Sequence, residues 1–340
     1  MISAQPLKAL LALATTAFLA SPALADVNVY TTREPGLIKP LLDAFTAETG
    51  IAVNTVFVEQ GLPERVAAEG ANSPADILMT VDIGNLVDLV DKGVTQPIES
   101  PALEAAVPAN LRDANHQWYA LSLRARVLYA DKDLDLSSFT YEQLADPVWK
   151  GKVCIRSGQH PYNIALIAAY IAKHGPEAAE QWLQGVKANL GRAPGGGDRD
   201  VARDILAGIC EVGFGNSYYV GLMRSGAGGP EQEEWGKAIK VILPTFDDGA
   251  GTHVNISGAA LAKNSPNKAD ALKLLEFLAS EDGQQLYAHA NFEYPVKSDV
   301  EPDAIIAELG PLTVDSLHLT DIAAQRKLAS ELVDKVGFDN

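Results

Sequence analysis

Trp118-Tyr119-Ala120-Leu121-Ser122-Leu123-Arg124-Ala125-Arg126-Val127-Leu128-Tyr129 reads as one extended segment, continuous enough to pass from one domain into another. On its N-terminal side the chain alternates strands and helices at short spacing. Val27-Asn28-Val29-Tyr30 is a short buried strand, and residues 31–36 make a loop into a helix. Leu37, Leu41, Leu42 and Phe45 carry the apolar face of that helix, which Gly50 stops. A β-branched strand over residues 51–58, a helix over 63–69, a strand over 76–79 and a helix over 86–92 follow. This β-α-β-α-β order argues for a mostly parallel sheet with helices on both faces. Beyond the long segment the pattern restarts, with a strand over 152–155, helices over 162–173, 176–190 and 198–207, and a strand over 210–213. A second extended stretch, residues 239–244, leads back through 252–261. An amphipathic helix over 267–279 and a helical tail over 322–336 come last. Two extended crossings in an α/β chain imply two lobes that close on a ligand by hinge bending.

Composition narrows the partners. The 340 residues carry a formal net charge of −17, which argues against nucleic acid and anionic membrane surfaces. The chain starts with the pattern of an export signal. Lys8 is followed by an apolar run from Ala9 to Ala20 and an A-x-A site at Ser21-Pro22-Ala23-Leu24-Ala25. Residues 1–25 are therefore expected to be removed after Ala25, leaving an exported protein in the periplasm. In that oxidising compartment the two cysteines, Cys154 and Cys210, are expected to form a structural disulfide. Their spacing matches no metal site.

Enzyme signatures are missing: there is no G-x-S-x-G, no H-E-x-x-H and no G-x-x-x-x-G-K. The triplet Gly195-Gly196-Gly197 lacks the Lys-Ser/Thr of a phosphate loop and reads as a turn. The histidines are scattered, and His160 beside Pro161 reads as a surface or supporting residue. Adjacent phenols at Tyr218-Tyr219 are harder to explain as core. Neighbouring residues diverge by about 100° on a helix and about 180° on a strand. Both rings reach one point only where the backbone bends, as where a strand runs into a helix, and Gly213, Gly215 and Gly221 are expected to permit that bend.

Several stretches carry a family resemblance. They are Val29-Tyr30-Thr31-Thr32-Arg33, residues 69–76, Leu121-Ser122-Leu123-Arg124-Ala125-Arg126-Val127, residues 149–157, Asn216-Ser217-Tyr218-Tyr219, residues 256–261 and residues 291–296. Across the whole mature chain they resemble the periplasmic ferric-iron-binding proteins of ABC importers, the bacterial transferrins, in their tyrosine-rich branch. The resemblance implies a periplasmic-binding-protein fold with two hinge strands and the ligand in the interdomain cleft. It implies Tyr162, Tyr218 and Tyr219 as phenolate ligands of Fe(III), and Arg124 as the anchor of a small anion such as carbonate or bicarbonate. Arg33 points toward the same cleft if its loop is as in relatives and is expected to help hold the anion. One departure stands out. Many relatives place His or His-Tyr ligands where this chain has Glu34-Pro35; Pro35 cannot ligate, and Glu34 is either a carboxylate ligand or a solvated loop charge.

The chemistry is self-consistent. Fe(III) is a hard cation that prefers anionic oxygen, and a phenol of reference pKa near 10 ionises at neutral pH only if the cation stabilises the phenolate. Three phenolates balance its charge, and a bidentate anion on a guanidinium could complete an octahedron. The expected lobes are residues 26–123 plus 248–290 and residues 124–247 plus 291–340, with hinges near Leu123 and Phe246. The expected role is a monomeric carrier that delivers ferric iron to an inner-membrane ABC permease. An anion binder of the same fold is the rival reading; it would use Arg33 and Arg124 but has no use for three converging tyrosines. A ferrous-iron binder, with water in place of the anion, is another. A metal-dependent hydrolase would need a general base, for which only Glu34 or His160 is at hand.

Overall fold

The computed structural model describes residues 26–340, so the expected export signal and its cleavage site lie outside the described residues. Nine strands form one continuous sheet system: β1 (Val27–Thr31), β2 (Val53–Phe57), β3 (Ile77–Thr80), β4 (Thr95–Gln96), β5 (Tyr119–Asp131), β6 (Val153–Cys154), β7 (Val212–Asn216), β8 (Ile239–Ile242) and β9 (Val254–Ala262). Their order is β2-β1-β3-β9-β5-β7-β6, with β4 on β9 and β8 on β5. The pairs β1–β2 and β1–β3 are parallel, as the β-α-β spacing requires. β9 and β5, however, run antiparallel to all their neighbours, so the sheet is mixed rather than mostly parallel. The helix Pro35–Thr49 between β1 and β2 buries Ile38, Leu41, Leu42 and Phe45, and it ends at Gly50 in the left-handed conformation. Only glycine takes that conformation without strain.

The quoted segment is a single strand with a change of partner in its middle. Tyr119 to Ala125 pair with β9, whereas Arg126 to Ala130 pair with β7. The register therefore hands β5 from one half of the molecule to the other at Ala125/Arg126, two residues past the expected hinge at Leu123. The return differs more. β8 stays with the far half of β5, pairing Leu128 to Asp131. Phe246 is fully buried, with its ring centroid 4.7 Å from that of Tyr141. That packing fixes Phe246 to the second half, and the chain rejoins the first half only with β9. A third segment also passes here: Leu123 and Tyr294 exchange both backbone hydrogen bonds, at 2.8 and 2.9 Å. The helical tail is likewise two helices, Leu319–Ala324 and Arg326–Lys335, meeting at Gln325. Its Arg326 reaches Asp88 of the helix Ile83–Asp91 at 3.0 Å, so the tail bridges the halves.

Cys154 and Cys210 are disulfide-bonded, tying β6 to the approach of β7. The bridge closes a sequence separation of 56 residues. By loop entropy, reduction is expected to cost about 3–4 kcal/mol of unfolding free energy. Denaturant unfolding with and without reductant measures this, and a change below about 1 kcal/mol would contradict the estimate.

Candidate metal-binding site

Two helix starts bring the tyrosines together. The helix Pro161–His174 opens with Pro161, whose fixed φ suits the first helical position and whose missing N–H costs nothing there. His160 caps it, its Nδ1 accepting from the backbone N–H of Tyr162 at 3.2 Å. Burial pushes the His160 pKa down to about 4, so the ring is neutral near pH 7 and free to accept. The helix Ser217–Arg224 starts directly from the end of β7, placing Tyr218 and Tyr219 in its first turn. The bend expected at this pair is that strand-to-helix junction.

The flanking glycines do a different job from the one expected. None of Gly213, Gly215 and Gly221 has positive φ. Each permits close packing instead. A Cβ on Gly213 would meet the Cys154 carbonyl oxygen at 2.0 Å, one on Gly215 the Tyr129 ring at 2.2 Å, and one on Gly221 the Phe292 ring at 2.2 Å.

The rings of Tyr218 and Tyr219 lie 4.0 Å apart between centroids, and the Tyr162 and Tyr218 phenol oxygens are 3.4 Å apart. All three tyrosines belong to the first turn of a helix, the end whose peptide dipoles favour nearby negative charge. They line a cavity of about 380 Å³ with Arg33, Glu34, Arg124, Arg199 and Glu293. Burial pushes the Tyr218 pKa well up, and the neighbouring Tyr162 and Tyr219 phenols add to the effect. Tyr219 is also raised, by burial and by Tyr162. Without a cation these two groups are therefore neutral phenols. A strongly charged cation bound between them would reverse that balance.

The two expected anion-binding arginines behave differently. Arg124 is anchored by carbonyls: one guanidinium nitrogen donates to Ile256 O at 2.7 Å and to Val81 O, and Nε is buried without a partner. Its charge meets no carboxylate in these contacts. Arg33, by contrast, donates to Glu293 at 2.6 Å and to Ser257 Oγ at 2.9 Å, and both ion-pair partners are buried. Glu293 neutralises it. Glu34 is exposed on the rim, ahead of the helix Pro35–Thr49, and its side chain caps nothing. Tyr30 is buried, with its hydroxyl on Glu69 at 3.2 Å, well outside the cavity lining.

A family model for bacterial extracellular solute-binding proteins matches residues 72–308. The chain belongs to that family. Among the relatives of this solute-binding protein is "Iron uptake protein A2" of Synechocystis, 39% identical over 317 residues, covering 92% of this chain and 90% of that one. A solved Bordetella ferric binding protein is 66% identical, with a TM-score of 0.89, covering 93% of this chain and 100% of the other. A Trichodesmium protein solved with iron and citrate ligands is 38% identical, with a TM-score of 0.87, covering 92% and 99%. The architecture is thus that of a two-lobed solute-binding protein.

Sequence reasoning missed Glu293 and three further charged residues around the site. Arg156 stands 5.1 Å from the Tyr162 ring centroid, and Arg199 stands 5.5 Å from that of Tyr219. Asp198, almost fully buried, pairs with both Arg126 and Arg156. Asp198 opens a helix directly after the glycine triplet, and an acidic residue there is ordinary helix-start chemistry. Nothing local marks it as a partner of residues 42 and 72 positions away.

Proposed function

We propose that this protein captures ferric iron in the cleft on the phenolates of Tyr162, Tyr218 and Tyr219 and delivers it from the periplasm to an inner-membrane ABC permease. The observation that carries the reading is the convergence of three tyrosine side chains from two helix starts on one cavity, beside an arginine that makes no ion pair. A simple anion site needs the arginine but not the phenols. The names of the relatives, which include a ferric binding protein and an iron uptake protein, point the same way.

Arg124 is the residue to hold a small carboxylate or carbonate anion against the ion, since Glu293 occupies Arg33. Glu34, exposed opposite the phenols, is the first-lobe carboxylate available to approach the ion when the lobes close about β5, β9 and the Glu293–Tyr294 segment. With the three phenols on second-lobe helices and Arg124 on the half of β5 that pairs with β9, the ion loads onto the phenols of the open form and meets the anion site on closure.

The test is a titration of mature protein with ferric citrate, in which a broad visible phenolate-to-iron charge-transfer band should develop. A colourless protein that still binds an anion tightly would sink the reading. The same titration under reducing conditions distinguishes a ferrous binder. A pH series adds a second expectation. Each ligating phenol must lose its proton, and burial has raised the pKa of Tyr218 and Tyr219 above the ordinary 10.0. Binding therefore releases protons and weakens as pH falls, with a slope of up to about three protons per ion from the phenols. An affinity independent of pH between 5 and 8 would exclude phenolate ligation.

A further inference from the structure

Arg126 is the first residue of β5 to pair with β7, directly at the change of partners, and its guanidinium is buried. Its backbone is held at the hinge. The N–H donates to His253 O at 3.0 Å, and the carbonyl accepts from Tyr141 Oη at 2.7 Å. That hydroxyl in turn accepts from the His253 N–H at 3.1 Å, so Arg126 is fastened to both main crossing segments.

The side chain reaches the two helix starts that bear the phenols. One guanidinium nitrogen donates to Asn163 Oδ1 at 2.6 Å, on the residue after Tyr162. The other donates to Asn216 Oδ1 at 3.1 Å, directly ahead of the helix carrying Tyr218 and Tyr219. It also donates to Asp198 at 2.6 Å, and the same Asp198 oxygen accepts the backbone N–H of Asn216 at 2.9 Å. One planar, rigid group therefore sets the separation of the two N-termini. A buried ion pair is weak evidence for stability, since apolar replacements are often as stable. A rigid fork of donors is well suited to fixing geometry, and lysine cannot reproduce it.

We propose that Arg126 is the positioning residue that sets the spacing of the three phenol oxygens and ties that spacing to the hinge. The proposal rests on the ferric reading above. It makes the phenols a preassembled ligand set, so the cost of bringing them together is met in folding rather than at binding.

The test compares the wild-type protein with Arg126→Lys and Asn216→Ala. Asn216 is useful because its amide nitrogen is buried without a partner, so the truncation removes chiefly the bond from Arg126. Partners that orient metal ligands are typically worth about 10–100-fold in affinity, and a loss of that size is expected from Arg126→Lys, with a displaced or broadened charge-transfer band. Asn216→Ala should lose affinity in the same direction. The double variant should lose less than the product of the two single losses, because both act through one contact. Unfolding of the iron-free variants gives stability separately. Lower stability with wild-type affinity and band position would overturn the proposal, because the role would then be structural only. If Arg126→Lys does not fold, Asn216→Ala decides alone, and an unchanged band and affinity there also overturn it. A wild-type protein that shows no band overturns the ferric reading and this proposal with it, whereas a normal wild-type band with unaltered variants overturns this proposal only.

Discussion

Replacing Tyr218 and Tyr219 together by phenylalanine is expected to abolish the charge-transfer band and lower ferric affinity by roughly four to six orders of magnitude. The size follows from the ~10–16 kcal/mol with which four-ligand structural zinc sites bind, or about 2.5–4 kcal/mol for each ligand. Two of three phenolates would be gone, and the one left balances a single charge of the ion. The fold should be nearly untouched. Both side chains are half-buried, and phenylalanine keeps the 4.0 Å ring contact. Because both phenols are neutral in the iron-free protein, no charge interaction is lost there. Competition against citrate, read from the visible band, measures the affinity, and unfolding of the iron-free protein measures stability. A double variant that still competes with citrate for iron would remove this pair from the ligand set. A variant that loses binding only because it no longer folds would show as a lost unfolding transition.

Local chemistry made much of the architecture readable. Gly50 ends the first helix by a rule that acts within a few residues, and the alternation of strands and helices acts over about thirty. Tyr218-Tyr219 stood out because adjacent phenols rarely share one side of a regular element, and the strand-to-helix junction at Asn216/Ser217 is the break that allows it. What escaped was set by contacts distant in sequence. Arg33 meets Glu293 across a separation of 260 residues, and nothing around either reveals the pair. The packing role of the glycines near Tyr218 is hidden from the sequence because the groups they meet, Cys154, Tyr129 and Phe292, come from three separate segments. The extended stretch over residues 239–244 points to a hinge near Phe246. Its actual anchors, Tyr141 and Tyr170, lie far upstream.

Those distant contacts also locate the largest stability effect expected in the cleft. Glu293 accepts from Arg33 at 2.6 Å, from Ser257 Oγ at 3.3 Å and from Ser122 Oγ. Ser122 lies on β5, Ser257 on β9 and Glu293 on the third crossing segment, so one buried carboxylate joins all three passages between the lobes. Glu293→Gln leaves Arg33 buried without its counter-charge and is expected to cost about 3–5 kcal/mol. Replacing both residues with methionine should recover much of that loss, since it removes both desolvated charges.

The pH dependence has a definite sign. Burial alone would raise the Glu293 pKa, but Arg33 and then Arg124 outweigh it and hold the carboxyl below the ordinary 4.5. A carboxylate lowered in the folded state adds stability that is fully present above its unfolded pKa and is lost as pH falls through the folded value. The gap between wild type and Glu293→Gln should therefore be constant from pH 7 down to about 5 and narrow below the carboxylate range. Denaturant midpoints across that series measure it, and a variant within about 1 kcal/mol of wild type at pH 7 would contradict the account. The same substitution reports on the cleft. With its counter-charge removed, Arg33 becomes a second cation beside Arg124, so the variant should hold a carboxylate anion more tightly than wild type. Unchanged anion affinity in a folded Glu293→Gln protein would show that Glu293 is not what keeps Arg33 from the anion.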